Sequence, residues 1–187
     1  MTVTLHVVSS LDGFVARHDN SVSWLDTPSD IYEPGVPESA MGEGMGAIDC
    51  FVLGSRTYEH ALELGWPYGD TPAIVTTHRP LSCDRKSVEF HSGDLKKLLE
   101  ETLAPRFQNI WLVGGAILCQ EFLKLGLVDE IRLMIAPVLL GDGLPLFGAS
   151  NPESRWRLKN VVAYKTGFVE SWYVRGRTGS RIEAPTG

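Results

Sequence analysis

Residues 111 to 123, WLVGGAILCQEFL, run from an apolar strand-like segment straight into a helix-like one, with two adjacent glycines at the joint. A single glycine suffices for a tight turn, so the second needs a reason of its own. Glycine removes the Cβ that would hold a ligand away from the backbone, and it opens torsions closed to other residues. One glycine therefore turns the chain, and the other leaves room for something to lie against it. The spacing is not the dinucleotide fingerprint G-x-G-x-x-G, because Gly114 and Gly115 are adjacent and no third glycine follows. Nor is it a P-loop, because no Gly-Lys-Ser/Thr is present.

Strands and helices alternate on both sides of this joint. TVTLHVV (2–8), IDCFVLG (48–54), PAIVTT (72–77) and NIWLV (109–113) are apolar, β-branched runs that predict buried strands. SRTYEHALEL (55–64), SGDLKKLLEETL (92–103), with its Ser or Asp start, and GAILCQEFLKLG (115–126) show helical spacing. SSLDGFVA, after the first strand, carries a turn signal at Asp12-Gly13, and residues 17–37 read as a long irregular loop of the kind that often serves as a lid. From VDEIRLMIAPVLL onward the pattern is all strand, and WRLKNVVAYKTGFVESWYVRG predicts a hairpin at Thr166-Gly167. Alternation of this kind implies crossover connections, hence an α/β three-layer sandwich with a mixed, mostly parallel central sheet and an antiparallel C-terminal edge. The expected organisation is one domain over 1–177 and a tail over 178–187.

Composition excludes several classes of function. In a chain of 187 residues, 43% hydrophobic and 21% charged content belongs to a folded domain with a sizeable core rather than a disordered segment. A formal net charge of -6 argues against nucleic acid and membrane surfaces, which recruit clustered Lys and Arg. Cys50, Cys83 and Cys119 are odd in number, far apart and without a C-x-x-C, so neither a disulfide framework nor a zinc site is expected. They read as reduced thiols of a cytoplasmic protein, and the start MTVTLHVVSS lacks the basic leader of a signal peptide.

Ligands of open α/β sheets bind outside the carboxyl ends of the strands. Three such ends carry suitable residues. Gly54-Ser55-Arg56-Thr57 opens a helix, where free N–H groups and the macrodipole favour an anion. Thr76-Thr77-His78-Arg79 offers hydroxyls and a cation for a phosphate monoester. The third is the Gly114-Gly115 corner. Singly, each is also explained by an N-cap, a surface turn or a strand-to-helix corner; their common placement favours a phosphate-bearing ligand.

Ser10-Leu-Asp-Gly-Phe-Val-Ala16, Phe51-Val-Leu-Gly-Ser-Arg-Thr-Tyr-Glu59, Trp66-Pro-Tyr-Gly69, Ile74-Val-Thr-Thr77, Val113-Gly-Gly-Ala116 and Ala136-Pro-Val-Leu-Leu-Gly-Asp-Gly-Leu-Pro-Leu-Phe147 follow one another over almost the whole chain. This ordered set resembles the dihydrofolate reductase-like fold family, in the branch similar to the reductase domain of bifunctional riboflavin biosynthesis proteins. The resemblance implies NADPH as cofactor, hydride transfer to a small pterin- or pyrimidine-like heterocycle, and a homodimer. By position, Val8, Val15 and Ala16 would line the nicotinamide end, while Gly54, Ser55, Arg56 and Thr57 would hold the pyrophosphate. Thr76, Thr77 and either His78 or Arg79 would surround the adenosine 2′-phosphate. Val113, Gly114, Gly115, Ala116, Ile117 and Leu118 would pass beneath the pyrophosphate and nicotinamide ribose, with a cis peptide joining the glycines.

The departures from that pattern matter too. Many relatives place Arg directly after the second-strand glycine, where this chain has Ser55; moving to Arg56 turns the side chain by about 100°. Cys119 stands where dihydrofolate reductases carry an aromatic residue. Their substrate-gripping carboxylate has no single counterpart: Asp30, Glu38 and Glu43 fit by position, and Asp12 is a further acid near the nicotinamide. Trp24, Trp66 and Tyr68 are candidate stacking walls. Two alternatives stand beside a reductase of unassigned substrate. One is a non-catalytic nucleotide-binding protein. The other is a riboflavin-pathway 5-amino-6-(5-phosphoribosylamino)uracil reductase, which would need a basic phosphate cluster at the substrate end that the sequence does not display.

Overall fold

The computed structural model describes residues 1–26, 32–37, 46–149 and 152–176. The strands are β1 (Thr2–Ser9), β2 (Phe14–Ala16), β3 (Cys50–Gly54), β4 (Ala73–Thr76), β5 (Val88–His91), β6 (Asn109–Gly114), β7 (Glu130–Ile135), β8 (Leu144–Pro145), β9 (Trp156–Ala163) and β10 (Val169–Arg175). The helices are α1 (Ser55–Glu63), α2 (Leu95–Lys97), which a π-helical segment at Leu98–Leu103 continues, and α3 (Ala116–Lys124). Eight strands form one sheet in the order β5-β4-β3-β6-β1-β7-β10-β9. The pairs from β5 to β7 are parallel, and β7/β10 and β10/β9 are antiparallel. This is the mixed sheet with an antiparallel C-terminal edge that the alternation predicts.

Side-chain alternation along each strand sorts the core into two layers. Val3, Leu5, Val52 and Leu112 face α2, its π-helical continuation and α3, where they pack with Leu98, Leu103 and Phe122. Phe51, Leu53, Ala73 and Val75 face the other way and pack with Tyr58 and Ala61 of α1. Asp94 caps α2 by accepting from the amides of Lys96 and Lys97 at 2.8 and 2.9 Å, which settles the Ser-or-Asp alternative for that helix start.

Two expectations change. VEFH at Val88–His91 adds β5, a strand that periodicity does not reveal. It is four residues long, lies at the sheet edge and has no fully buried position, so it lacks the apolar alternation of a half-buried strand. Trp66 is not an open wall, and Tyr68 is half-buried against it. Trp66 is 5% exposed, stacks edge-on to Tyr58 and Tyr68, and donates its Nε1 to the Gly69 carbonyl, so the two rings belong to the core beside α1. Trp24 is likewise buried, in a 3-10 turn at Ser23–Asp26 within the stretch read as an irregular loop.

On the α1 side of β1, β7 and β10 the sheet carries polar residues. His6 and Arg132 are register partners, and Arg132 Nε donates to Glu170 Oε1 at 2.7 Å. Tyr164 Oη donates to Glu170 Oε2 at 2.7 Å. The His6 ring stacks on Trp111 with centroids 4.7 Å apart, and the Arg132 guanidinium lies 4.6 Å above the Trp172 ring. Burial alone would raise the Glu170 carboxyl, but the bonds from Arg132 and Tyr164 outweigh it and hold the pKa low. His6 is pushed down to about 4, first by burial and then by the neighbouring Arg132 charge.

His6 therefore ties stability to pH. In the unfolded chain its imidazole takes up a proton near pH 6.5, whereas in the folded protein it resists until about pH 4. Its contribution is intact above pH 6.5 and is lost progressively as pH falls toward 4, by up to about 3 kcal/mol. Urea titrations at pH 7 and pH 4.5 should show this loss in the native protein. His6→Phe, which keeps a ring against Trp111, should show a clearly smaller one.

Candidate active site

β3, β6 and β1 are neighbours, so their carboxyl ends lie side by side, and α1 and α3 begin directly after two of them. The N-cap of α1 is Gly54 and that of α3 is Gly115. No side chain caps either helix, and neither first turn contains an acidic residue. Two helix starts with uncapped amides and positive dipole ends thus lie at the same end of the sheet, one on each face. That is the local chemistry of an anion site with two oxyanion positions.

The glycines set how close these corners come. A Cβ on Gly54 would stand 3.4 Å from the Gly115 nitrogen and 3.6 Å from the Gly114 carbonyl oxygen. Gly114 has φ +133°, a conformation that side chains rarely adopt, and a cis peptide joins it to Gly115. Gly115 itself is extended, with φ -75° and ψ -173°, and a Cβ there would touch only Thr57 Oγ1 at 3.4 Å. Gly114 is thus the turning residue. The φ and ψ of Gly115 are open to any residue, and an added Cβ would meet only the Thr57 hydroxyl.

Several predicted side chains are already engaged. Thr76 Oγ1 donates to the Leu53 carbonyl at 3.2 Å, and Thr77 Oγ1 closes a turn by accepting from the Arg79 amide at 2.9 Å. Arg79 pairs with Glu59 at 2.9 Å, so its charge is balanced. Arg56 donates to the neutral Oδ1 of Asn20 at 3.0 Å and keeps its charge. His78 and Ile117 are exposed, whereas Leu118 turns into the core with Cys119 and Val15 packs against that core. Burial pushes the Cys119 thiol up to about 12, so it is a packing residue. Val8 pairs with Met134 at the end of β1, and Ala16 is buried beside Gly143, where any side chain would strike the Ala16 carbonyl.

Asp12 does not suit the expected role of an acid. Its carboxylate accepts from Ser10 Oγ at 2.5 Å and from the amides of Gly141 and Leu140 at 2.7 and 3.1 Å. The Ser10 hydrogen bond, followed by the two amides, holds it down to about 2, so at neutral pH it carries no proton to give. It pins the turn after β1 to the loop after β7. Asp30, Glu38 and Glu43 lie outside the described residues.

Sequence reasoning missed the buried group of His6, Arg132, Tyr164 and Glu170. The one local trace of it is the alternation Thr2, Thr4, His6 along β1, polar on one face and apolar on the other. That face also carries a recess lined by Thr2, Thr4, Ile48, Trp111, Arg132 and Trp172. It lies toward the amino ends of the strands, about 13 Å along β1 from Val8 by strand rise, whereas the glycine corner is at their carboxyl ends. Among the described residues no group of His, Cys, Asp and Glu could hold a metal ion, and no helix is long and apolar enough to cross a membrane.

A mixed sheet in this order, with helices on both faces and glycine corners at its parallel carboxyl ends, defines a dihydrofolate reductase-like α/β fold. The chain belongs to the RibD C-terminal domain family, whose model matches residues 1–169. It is 33% identical over 173 residues to YwjB of Bacillus subtilis, covering 91% of this chain and 96% of that protein. It is also 33% identical over 85 residues to the 2,5-diamino-6-ribosylamino-4(3H)-pyrimidinone 5′-phosphate reductase of Aquifex aeolicus, covering 45% of this chain and 36% of the reductase. A crystal structure of a Shewanella sp. PV-4 protein named for riboflavin biosynthesis superposes with a TM-score of 0.80 at 25% identity, covering 95% of this chain and all of that one.

If Asp12 is an anchor, Asp12→Asn should weaken the clamp without unfolding the sheet. Hydrogen exchange at the Leu140 and Gly141 amides is expected to quicken by about tenfold or more, with β3 and β6 unchanged. Unaltered exchange at both amides would contradict the anchoring role.

Proposed function

We propose that this protein is an NADPH-dependent reductase acting on a small pyrimidine- or pterin-like heterocycle. The observation that carries the reading is the pair of uncapped, acid-free helix starts at adjacent strand ends, with a Gly115 whose φ and ψ are open to any residue and whose missing Cβ faces only the Thr57 hydroxyl. A dinucleotide diphosphate needs two clusters of N–H donors and backbone free of Cβ atoms between them. The residues present fit that need.

In this reading the amides of Ser55, Arg56 and Thr57 bind one phosphate and those of Ala116, Ile117 and Leu118 the other. Arg56, whose partner is a neutral amide, turns from Asn20 to the 2′-phosphate, while Arg79 stays with Glu59. Val8 and Ala16 position the nicotinamide ring at the end of β1. When bound, NADPH supplies the hydride. The protein's share is alignment and exclusion of water, which is where most of the rate enhancement of such a reaction lies. The connection over residues 17–37 is the lid in this reading; its residues 27–31 lie outside the described ones. Asp30, Glu38 and Glu43 are the carboxyls that remain for holding the substrate or its proton, since Asp12 is committed elsewhere. A non-catalytic nucleotide binder would use the same cradle, and turnover of a heterocycle with NADPH separates the two readings.

Two variants test the cradle. Arg56→Ala removes a charge-assisted contact of about 1.5 to 3 kcal/mol and should weaken NADPH by roughly 10- to 150-fold while leaving NADH nearly unchanged. Calorimetry finding equal affinities for the two cofactors in the native protein would sink the preference. Gly115→Val should keep the circular dichroism of the folded chain at moderate temperature yet abolish NADPH fluorescence enhancement, because a branched side chain occupies the diphosphate path. Binding retained in the folded variant would make Gly115 a mere corner.

A further inference from the structure

Arg79, Arg106 and Arg132 each meet a carboxylate, that of Glu59, Glu89 and Glu170 in turn. Arg56 does not. Its Nη1 donates to the Oδ1 of Asn20, a neutral amide, at 3.0 Å. The contact joins the first turn of α1 to the turn after β2, where Arg17 N donates to the Ser21 carbonyl and Asn20 N to that of Arg17. Asn20 has φ +68°, a left-handed conformation that asparagine and aspartate tolerate better than most residues. Its side chain is thus presented by a turn that closes on itself.

A stronger partner for Arg56 stands on its own helix. Glu59 is three residues further along α1, so the two side chains are neighbours on one face. Arg79 Nη2 holds Glu59 Oε1 at 2.9 Å, and Arg56 reaches across to Asn20 instead. Arg79 comes from the turn after β4, where its amide donates to Thr77 Oγ1. An exposed bond to a neutral amide is weak, whereas one between two charged groups is roughly twice as strong. The Arg79–Glu59 pair therefore leaves Arg56 with the weaker of these two acceptors.

We infer that Asn20 and Arg79 are positioning residues for cofactor selection: Asn20 gives Arg56 a resting partner that a 2′-phosphate displaces, and Arg79 keeps Glu59 from taking Arg56 out of use. The inference rests on the reductase reading above, in which Arg56 turns to the 2′-phosphate, and adds what sets the strength of that contact. Neither residue touches the cofactor. NADPH exchanges a neutral acceptor on Arg56 for a charged one and so gains from the move. NADH has no group that could make the exchange and leaves Arg56 on Asn20. The resting bond therefore opposes NADPH alone. With Glu59 free, the same exchange would start from an ion pair, and the gain would shrink.

The readout is the ratio of NADPH to NADH affinity, measured by calorimetry on the full chain. A merely structural role would weaken both cofactors alike and leave the ratio unmoved. Asn20, Glu59 and Arg79 lie at the surface, so their variants should fold. Asn20→Gly keeps the left-handed turn and removes the amide; it should raise the ratio by about two- to tenfold, the size of one neutral hydrogen bond. In an Arg56→Ala background the same substitution should leave the ratio unchanged. Arg79→Ala should lower the ratio by about two- to fivefold, and adding Glu59→Gln should restore the native value. An unchanged or lower ratio in Asn20→Gly overturns the inference, as does a rise that survives Arg56→Ala. Arg79→Ala without effect also overturns it. So does a loss that Glu59→Gln fails to rescue, which would make Arg79 itself the phosphate ligand. If NADH binds too weakly to measure, adenosine 2′,5′-bisphosphate and AMP, which differ by the same phosphate, replace the two cofactors. No binding of NADPH by the native protein defeats the reductase reading and the inference with it. NADPH binding with no response at Asn20 or Arg79 defeats the inference alone.

Discussion

The close approach of two strand-to-helix corners, at Gly54 and at Gly114-Gly115, is the constraint from which the site follows. β3 and β6 are parallel neighbours, so α1 and α3 must start beside one another. Side chains at these corners would fill the gap between backbones: a Cβ at Gly54 would already be 3.4 Å from Gly115 N. Small residues here leave a cleft lined by amide donors. Polar groups normally found at helix starts, an Asp or Ser cap, are missing from both. The helix ends are thereby left to something outside the chain.

From that cleft, β1 leads across the sheet to a second polar region of a different kind. Arg132 and Glu170 sit on adjacent antiparallel strands and neutralise one another below Trp172. A buried pair of this sort is weak evidence for stability, since desolvation offsets much of its Coulomb attraction. Its consequence is that charge on this face is matched within the protein, while the Trp111 and Trp172 rings line the recess beside it. The glycine corners thus present uncapped amide donors, whereas the opposite end of the sheet carries charges matched within the protein. Asp12, bound to the loop after β7, keeps the turn after β1 in place.

Comparing chain and structure element by element shows where sequence reasoning stops. The helices at 55–63, 95–103 and 116–124 and the strands β1, β3, β4 and β6 were legible, since each declares itself by an apolar, β-branched run, a helical period or a cap within a few residues. β5 was not, because a short half-exposed edge strand has no such period. Trp66 and Tyr68 were read as walls for a flat ligand, but they pack on Phe51 and Tyr58 in the core. Aromatic side chains look alike in sequence whether they serve a core or a cleft. The engagement of Thr76 and Arg79 in hydrogen bonds of their own was equally invisible, as Leu53 and Glu59 are distant in sequence.

By itself, then, the sequence determined the order of the elements, the glycine joint between strand and helix, and the absence of any Lys or Arg between Arg17 and Arg56. These are local or compositional facts, carried by torsional preference and side-chain chemistry within a short span. Only the tertiary structure decided that the Gly54 and Gly115 corners meet, and that Asp12 is bonded to the amides of Leu140 and Gly141. It also decided that His6, Arg132 and Glu170 share one face. Each of those results depends on which strands lie next to which. Strand order is set by burying the whole sheet between its helices, a collective requirement that no single segment encodes.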